Sequence, residues 1–157
     1  MSRRTGTLFA LAVALVIFLA DHSLKRLVEG SMQPGESTPL VPGILHITHV
    51  KNAGGAFSIL DGHGGVLLLG SAVAVAFVLW MLFEGPPSRV MALGCGLILG
   101  GAAGNLLDRL TAGQVTDYMD LQFWPLRQWP VFNAADVAIV LGVGALLLAA
   151  ARPSPKG

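Results

Sequence analysis

The stretch "VFNAADVAIVLGVGALLLAAAR", residues 131–152, decides the class of this chain. From Val137 to Ala151 it runs 15 residues without Asp, Glu, Lys or Arg, the pattern of a membrane-spanning helix. It has one fault, Asp136, at the polar edge of the apolar run. An acid at the rim of a bilayer is costly and marks either function or pairing.

The rest of the chain reads the same way. Of its 157 residues 54% are hydrophobic and 12% charged, with a mean hydropathy of +0.68. A soluble domain carries about 25% charge. Three further stretches lack charge: Thr5–Ala20 (16 residues), Gly62–Phe83 (22) and Val90–Leu107 (18). A hydrocarbon core about 30 Å thick takes roughly 20 helical residues. The sequence therefore predicts an integral membrane all-α bundle of four transmembrane helices, at about 5–26, 64–83, 90–109 and 133–151. Residues 1–157 form one membrane domain, with extracytoplasmic loops at about 28–63 and 110–132.

A net charge of +1 without a basic tract excludes nucleic acid as a partner. The single cysteine, Cys95, cannot form an internal disulfide and reads as a small buried residue. Ser2-Arg3-Arg4 before an apolar run resembles a cleavable signal peptide, but "LADHSLKRLVE" lacks an A-x-A site, so the first helix is expected to be retained.

Charge sets the topology. Arg3, Arg4, Arg89, Arg152 and Lys156 crowd into the termini and one short loop. That density puts both termini on the cytoplasmic side. Every acid but Glu84 then falls on the outer side. The uncharged part of helix 1 spans only about 24 Å and that of helix 4 about 22 Å. Asp21 and Asp136 must therefore lie near or below the outer edge of the hydrocarbon. Several acids at one shallow depth read as a site.

The first outer loop opens on the turn-rich "EGSMQPGESTPLVPG", and "ILHITHVKN" then reads as a strand. A small extracytoplasmic β-element in this loop is the expectation. His46 and His49 lack metal-site company, so no metal and no cofactor are predicted. In "LQFWPLRQWPVF", Trp124 and Trp129 read as headgroup-level anchors facing membrane lipid.

Four polar clusters remain. In "DHSLK", Asp21 and Lys25 are spaced i, i+4 for a salt bridge. In "KNAGGAFS", Asn52 and the glycines form a plain turn or position a substrate backbone. In "GGAAGNLLDR", Gly100, Gly101 and Gly104 permit close helix approach. Asn105 and Asp108 share a face there, and Asp108 needs Lys25 or Arg109 as partner because it opposes the helix dipole. Last come Asp117 ("VTDY") and Asp136 ("FNAAD"). Asn133 looks like an N-cap with Asp136 at N3, which is a purely structural role. Against it stands Asp117, on the same side of the membrane in the loop leading into the same helix. Two close carboxylates can share one proton and run acid–base hydrolysis of a peptide. No nucleophile elbow or zinc motif competes.

In this order "DHSLK", "NAGGAFS", "GGAAGNLLDR", "VTDY" and "VFNAAD" resemble the five motif regions of bacterial lipoprotein signal peptidase, signal peptidase II. The resemblance implies a multi-pass aspartic endopeptidase of the bacterial inner membrane with its active site at the extracytoplasmic face. It would remove signal peptides from diacylglyceryl-modified prolipoproteins, on the N-terminal side of the lipidated cysteine, and be a target of globomycin-type inhibitors. It is expected to act as a monomer. Family pattern puts the catalytic pair at Asp117 and Asp136. Asp21, Lys25, Asn52, Gly54, Gly101, Asn105, Asp108, Arg109, Asn133 and Ala135 match supporting or substrate-binding positions. His22, Ala53, Gly55, Thr116 and Tyr118 depart from the commoner residues. A transporter fits less well, because its ionisable groups would sit near the midplane. A scaffold would have no need of either acid. A Ser23–Lys25 peptidase fails because residues two apart on a helix do not face each other.

Overall fold

The computed structural model describes residues 1–53, 64–84 and 87–151. Four helices and three strands follow one another as α1 (Arg3–Ser31), β1 (Ser37–Val41), β2 (Leu45–Asn52), α2 (Gly64–Glu84), α3 (Arg89–Ala112), β3 (Val115–Leu121) and α4 (Ala134–Ala150). A 3₁₀ turn, Leu126–Gln128, interrupts the segment before α4. Helices α1, α2 and α3 are long and apolar enough to cross a membrane; α4 is apolar but has 17 residues.

The helices begin where the sequence supplies caps. Ser2 Oγ accepts from the Thr5 N–H, and Ser88 Oγ from the Met91 N–H. Helix α3 stops at Gly113, whose φ of 72° is the left-handed conformation glycine takes most readily. Helix α1 runs about a turn beyond the expected end near residue 26. Asp21, Lys25 and Val28 are all buried on it, so its inward stripe continues past the apolar run. It ends where Gln33-Pro34-Gly35 makes a turn, and the first loop starts after Ser31 rather than at 28.

The sheet is larger than expected and is not confined to the first loop. Its order is β1-β2-β3, antiparallel throughout, and β3 comes from the second loop. The β2–β3 register slips by one between Ile47 and Val50, so Thr48 and His49 stand opposite Tyr118. That is a β-bulge. Asp117 and Asp120 disguise β3 as a polar loop; pairing with β2 makes it a strand.

Helix α3 is the centre, packed against α1, α2 and α4. Glycines bring it close. A Cβ at Gly96 or Gly100 would stand 2.6 Å from the Ala10 carbonyl oxygen or 2.5 Å from that of Ala14, both on α1. One at Gly101 would stand 2.5 Å from the Ala135 carbonyl oxygen on α4. Small side chains substitute for the hydrophobic drive that lipid removes. Ala10, Ala14, Val78, Leu82, Ala92, Cys95, Ile98 and Leu99 form the apolar core. Large apolar side chains on α1 and α4, such as Leu15, Val16, Val140 and Leu147, point outward and are exposed, as suits helices facing lipid.

Gly100→Ala should lower the thermal unfolding midpoint in detergent, since overpacking a tight contact costs about 1–3 kcal/mol. Gly144→Ala, with nothing within 4 Å of the new methyl, should leave the midpoint unchanged or raise it. Equal midpoints for Gly100→Ala and wild type would refute the close α1–α3 contact.

Candidate active site

The first turn of α4 brings the polar clusters together. Asn133 caps it: its side-chain oxygen accepts from the Asp136 N–H, and the Asp136 carboxylate accepts from the Asn133 N–H at 3.2 Å. This is the reciprocal capping box. The capping reading of Asp136 is therefore correct. The Asn133 amide is buried, and its Nδ2 donates to Asp117 Oδ1 at 2.7 Å and to Asn105 Oδ1 at 3.2 Å. One residue thus holds both acids.

Each acid has a second amide partner. Asn52 Nδ2, at the end of β2, donates to Asp117 Oδ2 at 2.8 Å. Asn105 Nδ2, on α3, donates to Asp136 Oδ1 at 2.9 Å. Strand alternation explains why β2 and β3 reach the site together. Asn52 lies opposite Val115 in the ladder, and Asp117 is two residues on from Val115, so Asn52, Val115 and Asp117 share a face.

Behind the amides lies a buried cation. Lys25 Nζ is 2.7 Å from Asp21 Oδ2 and 2.7 Å from Asp108 Oδ2, and donates to Asn105 Oδ1 at 2.9 Å. Three N–H donors meet three acceptors, which is all an ammonium offers. Asn105 is oriented by this contact. With its oxygen turned to Lys25 and Asn133, its NH₂ must face Asp136. Asp21 Oδ1 accepts from the Ala135 N–H at 2.9 Å, tying α1 to the start of α4. The absence of a Cβ at Gly104 leaves room for Asp21 Oδ2, which would otherwise be 2.6 Å away.

Asp117 is 2% exposed. Burial raises its pKa from the ordinary 3.8 to about 6; hydrogen bonds from Asn52 and Asn133 oppose the rise, and the neighbouring Asp136 charge adds to it. A carboxyl raised in this way is better buried when protonated. The stability it contributes is full below about 3.8 and is lost as pH rises through about 6. Burial also lifts the Tyr118 hydroxyl to about 12, and its oxygen accepts from the Ala134 N–H at 3.2 Å.

Both acids open onto one cavity of about 430 Å³. Asn52, Asn105 and Arg109 also line it, and its remaining wall is apolar, including Trp129, Phe132, Val137, Val140 and Leu141. The Arg109 guanidinium donates to Ser71 Oγ on α2 at 3.2 Å, and Arg109 lines the same cavity as Asp136 and Asp117.

Of the residues singled out in the sequence, Asp21, Lys25, Asn52, Asn105, Asp108, Asp117, Asn133 and Asp136 form one connected network. Gly101 and Ala135 form the α3–α4 contact beside it. Gly54 and Gly55 lie outside the described residues. Lys25, not Arg109, is the partner of Asp108. Asn52 ends β2 and binds an acid; the turn expected after it lies outside the described residues. Ser23 is exposed while Lys25 is buried, so a serine–lysine pair has no common site. His49 Nδ1 meets the Met32 carbonyl oxygen and His46 Nδ1 meets Ser37 Oγ, both as sheet residues. Trp124 is fully exposed in character, while Trp129 joins the cavity wall. Sequence reasoning missed Glu29, whose Oε1 accepts from Lys51 and Thr116. Its spacing of four from Lys25 and eight from Asp21, along one helix face, was the available signal.

Residues 13–152 match the family described as signal peptidase (SPase) II. The chain belongs to the signal peptidase II family. It is 40% identical to the lipoprotein signal peptidase of Halothermothrix orenii over 87% of this chain and 90% of that one. It is 42% identical to that of Desulfitobacterium hafniense, over 85% and 86%, and 42% identical to that of Gloeobacter violaceus, over 94% and 84%. In fold it is similar to a solved bacterial membrane enzyme with a TM-score of 0.83, at 23% identity, covering 94% of each chain. Membership makes it a peptidase that removes lipoprotein signal peptides, and its apolar helices and fold make it a multi-pass membrane protein.

Lys25→Met should leave the buried Asp21 and the half-buried Asp108 without a cation and lower stability by about 3–5 kcal/mol. Adding Asp21→Asn and Asp108→Asn should recover most of that loss. An unchanged unfolding midpoint in Lys25→Met would contradict the hub.

Proposed function

We propose that this signal peptidase II family member is an aspartic endopeptidase in which Asp117 and Asp136 share one proton and activate water. The observation that carries this reading is the grip of Asn133 on both carboxylates, which line one largely apolar cavity. The shared proton enters on Asp117, the acid that burial lifts. Asp136 then takes a proton from water as the water attacks the scissile carbonyl carbon. Asp117 gives its proton to the carbonyl oxygen. Asp136 returns the proton to the departing amine nitrogen as the C–N bond breaks, while Asp117 takes a proton from one diol hydroxyl, which leaves the new carboxylic acid and restores the shared proton. Arg109, in the lining of the same cavity, is the cation that would offset the charge that builds during these steps.

The substrate is a prolipoprotein carrying diacylglyceryl on the cysteine after the cleaved bond. Carboxylates, amides and Arg109 line one side of the cavity and suit a peptide backbone; Trp129, Val137, Val140 and Leu141 suit acyl chains. Four spans would hold the chain in the bacterial inner membrane as a single domain, with both termini cytoplasmic. The three-stranded sheet and the site would then lie at the extracytoplasmic rim, where a signal helix meets its lipid anchor. Globomycin-type peptides would compete for this cavity, and a monomer is sufficient because the network closes within one chain.

The test is turnover of a diacylglyceryl-modified precursor by purified protein in detergent. Asp117→Asn and Asp136→Asn should each lower kcat by about 10²–10⁴-fold, the usual worth of a general acid or base, without loss of folding. Precursor lacking the lipid should be cut poorly. Near-normal turnover by either folded variant contradicts the dyad, and equal cutting of both precursors contradicts the substrate.

A further inference from the structure

On the face of the sheet turned away from the cavity, three side chains close a ring. Glu29 Oε1, in the last turns of α1, accepts from Thr116 Oγ1 at 2.6 Å and from Lys51 Nζ at 2.5 Å; Lys51 Nζ also donates to Thr116 Oγ1 at 2.9 Å. Thr116 is 2% exposed, so its hydroxyl is satisfied only by this ring. Lys51 and Thr116 face each other directly in the β2–β3 ladder. Their chain neighbours are Asn52 and Asp117, which point the other way, into the cavity.

The position of this ring matters because of the bulge. Between Ile47 and Val50 the β2–β3 register changes by one residue. After a bulge the register of the remaining rungs has to be selected again, and a slip of one residue turns every side chain to the opposite face. Among the described residues three rungs follow: Val50 with Asp117, Lys51 with Thr116, and Asn52 with Val115. A slip would carry Asn52 off the Asp117 carboxylate. In the observed register Lys51 and Thr116 stand opposite each other, and one carboxylate oxygen bridges them.

We propose that Glu29, Lys51 and Thr116 form a positioning latch that fastens the final rungs of β2 and β3 to α1 and so holds Asp117 and Asn52 in catalytic alignment. None of the three touches the cavity. They act through their neighbours, and the inference rests on the dyad reading above. A displacement of the reacting groups by about 1 Å costs up to 10²-fold in rate, so loosening the latch reduces kcat. KM stays constant because the substrate does not meet this face. The flanking Arg26, on Glu29 Oε2 at 3.1 Å and mostly exposed, is outside the ring.

The experiment is steady-state cleavage of lipidated precursor by full-length protein in detergent, with unfolding midpoints recorded alongside. Thr116→Val keeps the shape and removes the hydroxyl; Glu29→Leu removes the acceptor. Each should lower kcat about tenfold with KM unchanged, and the double variant should lose no more than either alone because both break one ring. Thr116→Ser should restore kcat, and Arg26→Gln should leave it at the wild-type value. Unchanged kcat in Thr116→Val and Glu29→Leu overturns the latch, as does a loss in Thr116→Val that Thr116→Ser fails to restore. Asp117→Asn is run in parallel: if it is inactive while the latch variants are normal, the latch alone fails. If Asp117→Asn is active, the dyad reading fails.

Discussion

Asn133 satisfies a helix terminus and two carboxylates with one side chain and one backbone N–H. Free N–H groups at a helix start need acceptors, and Asp136 and Asn133 supply each other's. That exchange uses one side of the Asn133 amide. The other side, Nδ2, is left to find acceptors in the interior and finds Asp117 and Asn105. The relation between the two acids thus follows from how α4 begins. A cap that costs nothing beyond ordinary helix chemistry becomes the fixture for the site.

The remaining structure serves to hold that amide still. Lys25 fixes Asn105 from behind, Asp21 pins the Ala135 N–H, and Tyr118 meets the Ala134 N–H. These bonds need α1, α3 and α4 at close range, which the glycines of α3 allow. A buried ammonium between two acids adds little stability in itself, since its attraction is offset by desolvation. Its effect is on orientation, because the amide contacting it has only one way round. A network with every member satisfied is rigid, and a partly satisfied one is not.

The sequence was most legible where a single element carries its own signal. The four apolar stretches, the i, i+4 pair of Asp21 and Lys25, and the capping pair of Asn133 and Asp136 are all local patterns. What it hid depends on partners distant in the chain. β3 is polar and acquires strand character only by pairing with β2. The partner of Asp108 was one of two cations until folding chose Lys25. Asn52 has the composition of a turn, and only the ladder brings it to Asp117. Glu29 escaped notice because its partners, Lys51 and Thr116, arrive from two different strands.

The central claim, that two carboxylates share one proton with Asp117 as its first holder, is tested most directly by infrared difference spectroscopy of the protonated carboxyl stretch in protein carrying labelled aspartate. The account predicts a carboxyl band lost as pH rises through about 6. It should be missing in Asp117→Asn and should titrate at lower pH in Asp136→Asn, where the neighbouring charge is gone. A band that survives in Asp117→Asn, or that keeps its midpoint in Asp136→Asn, would contradict it.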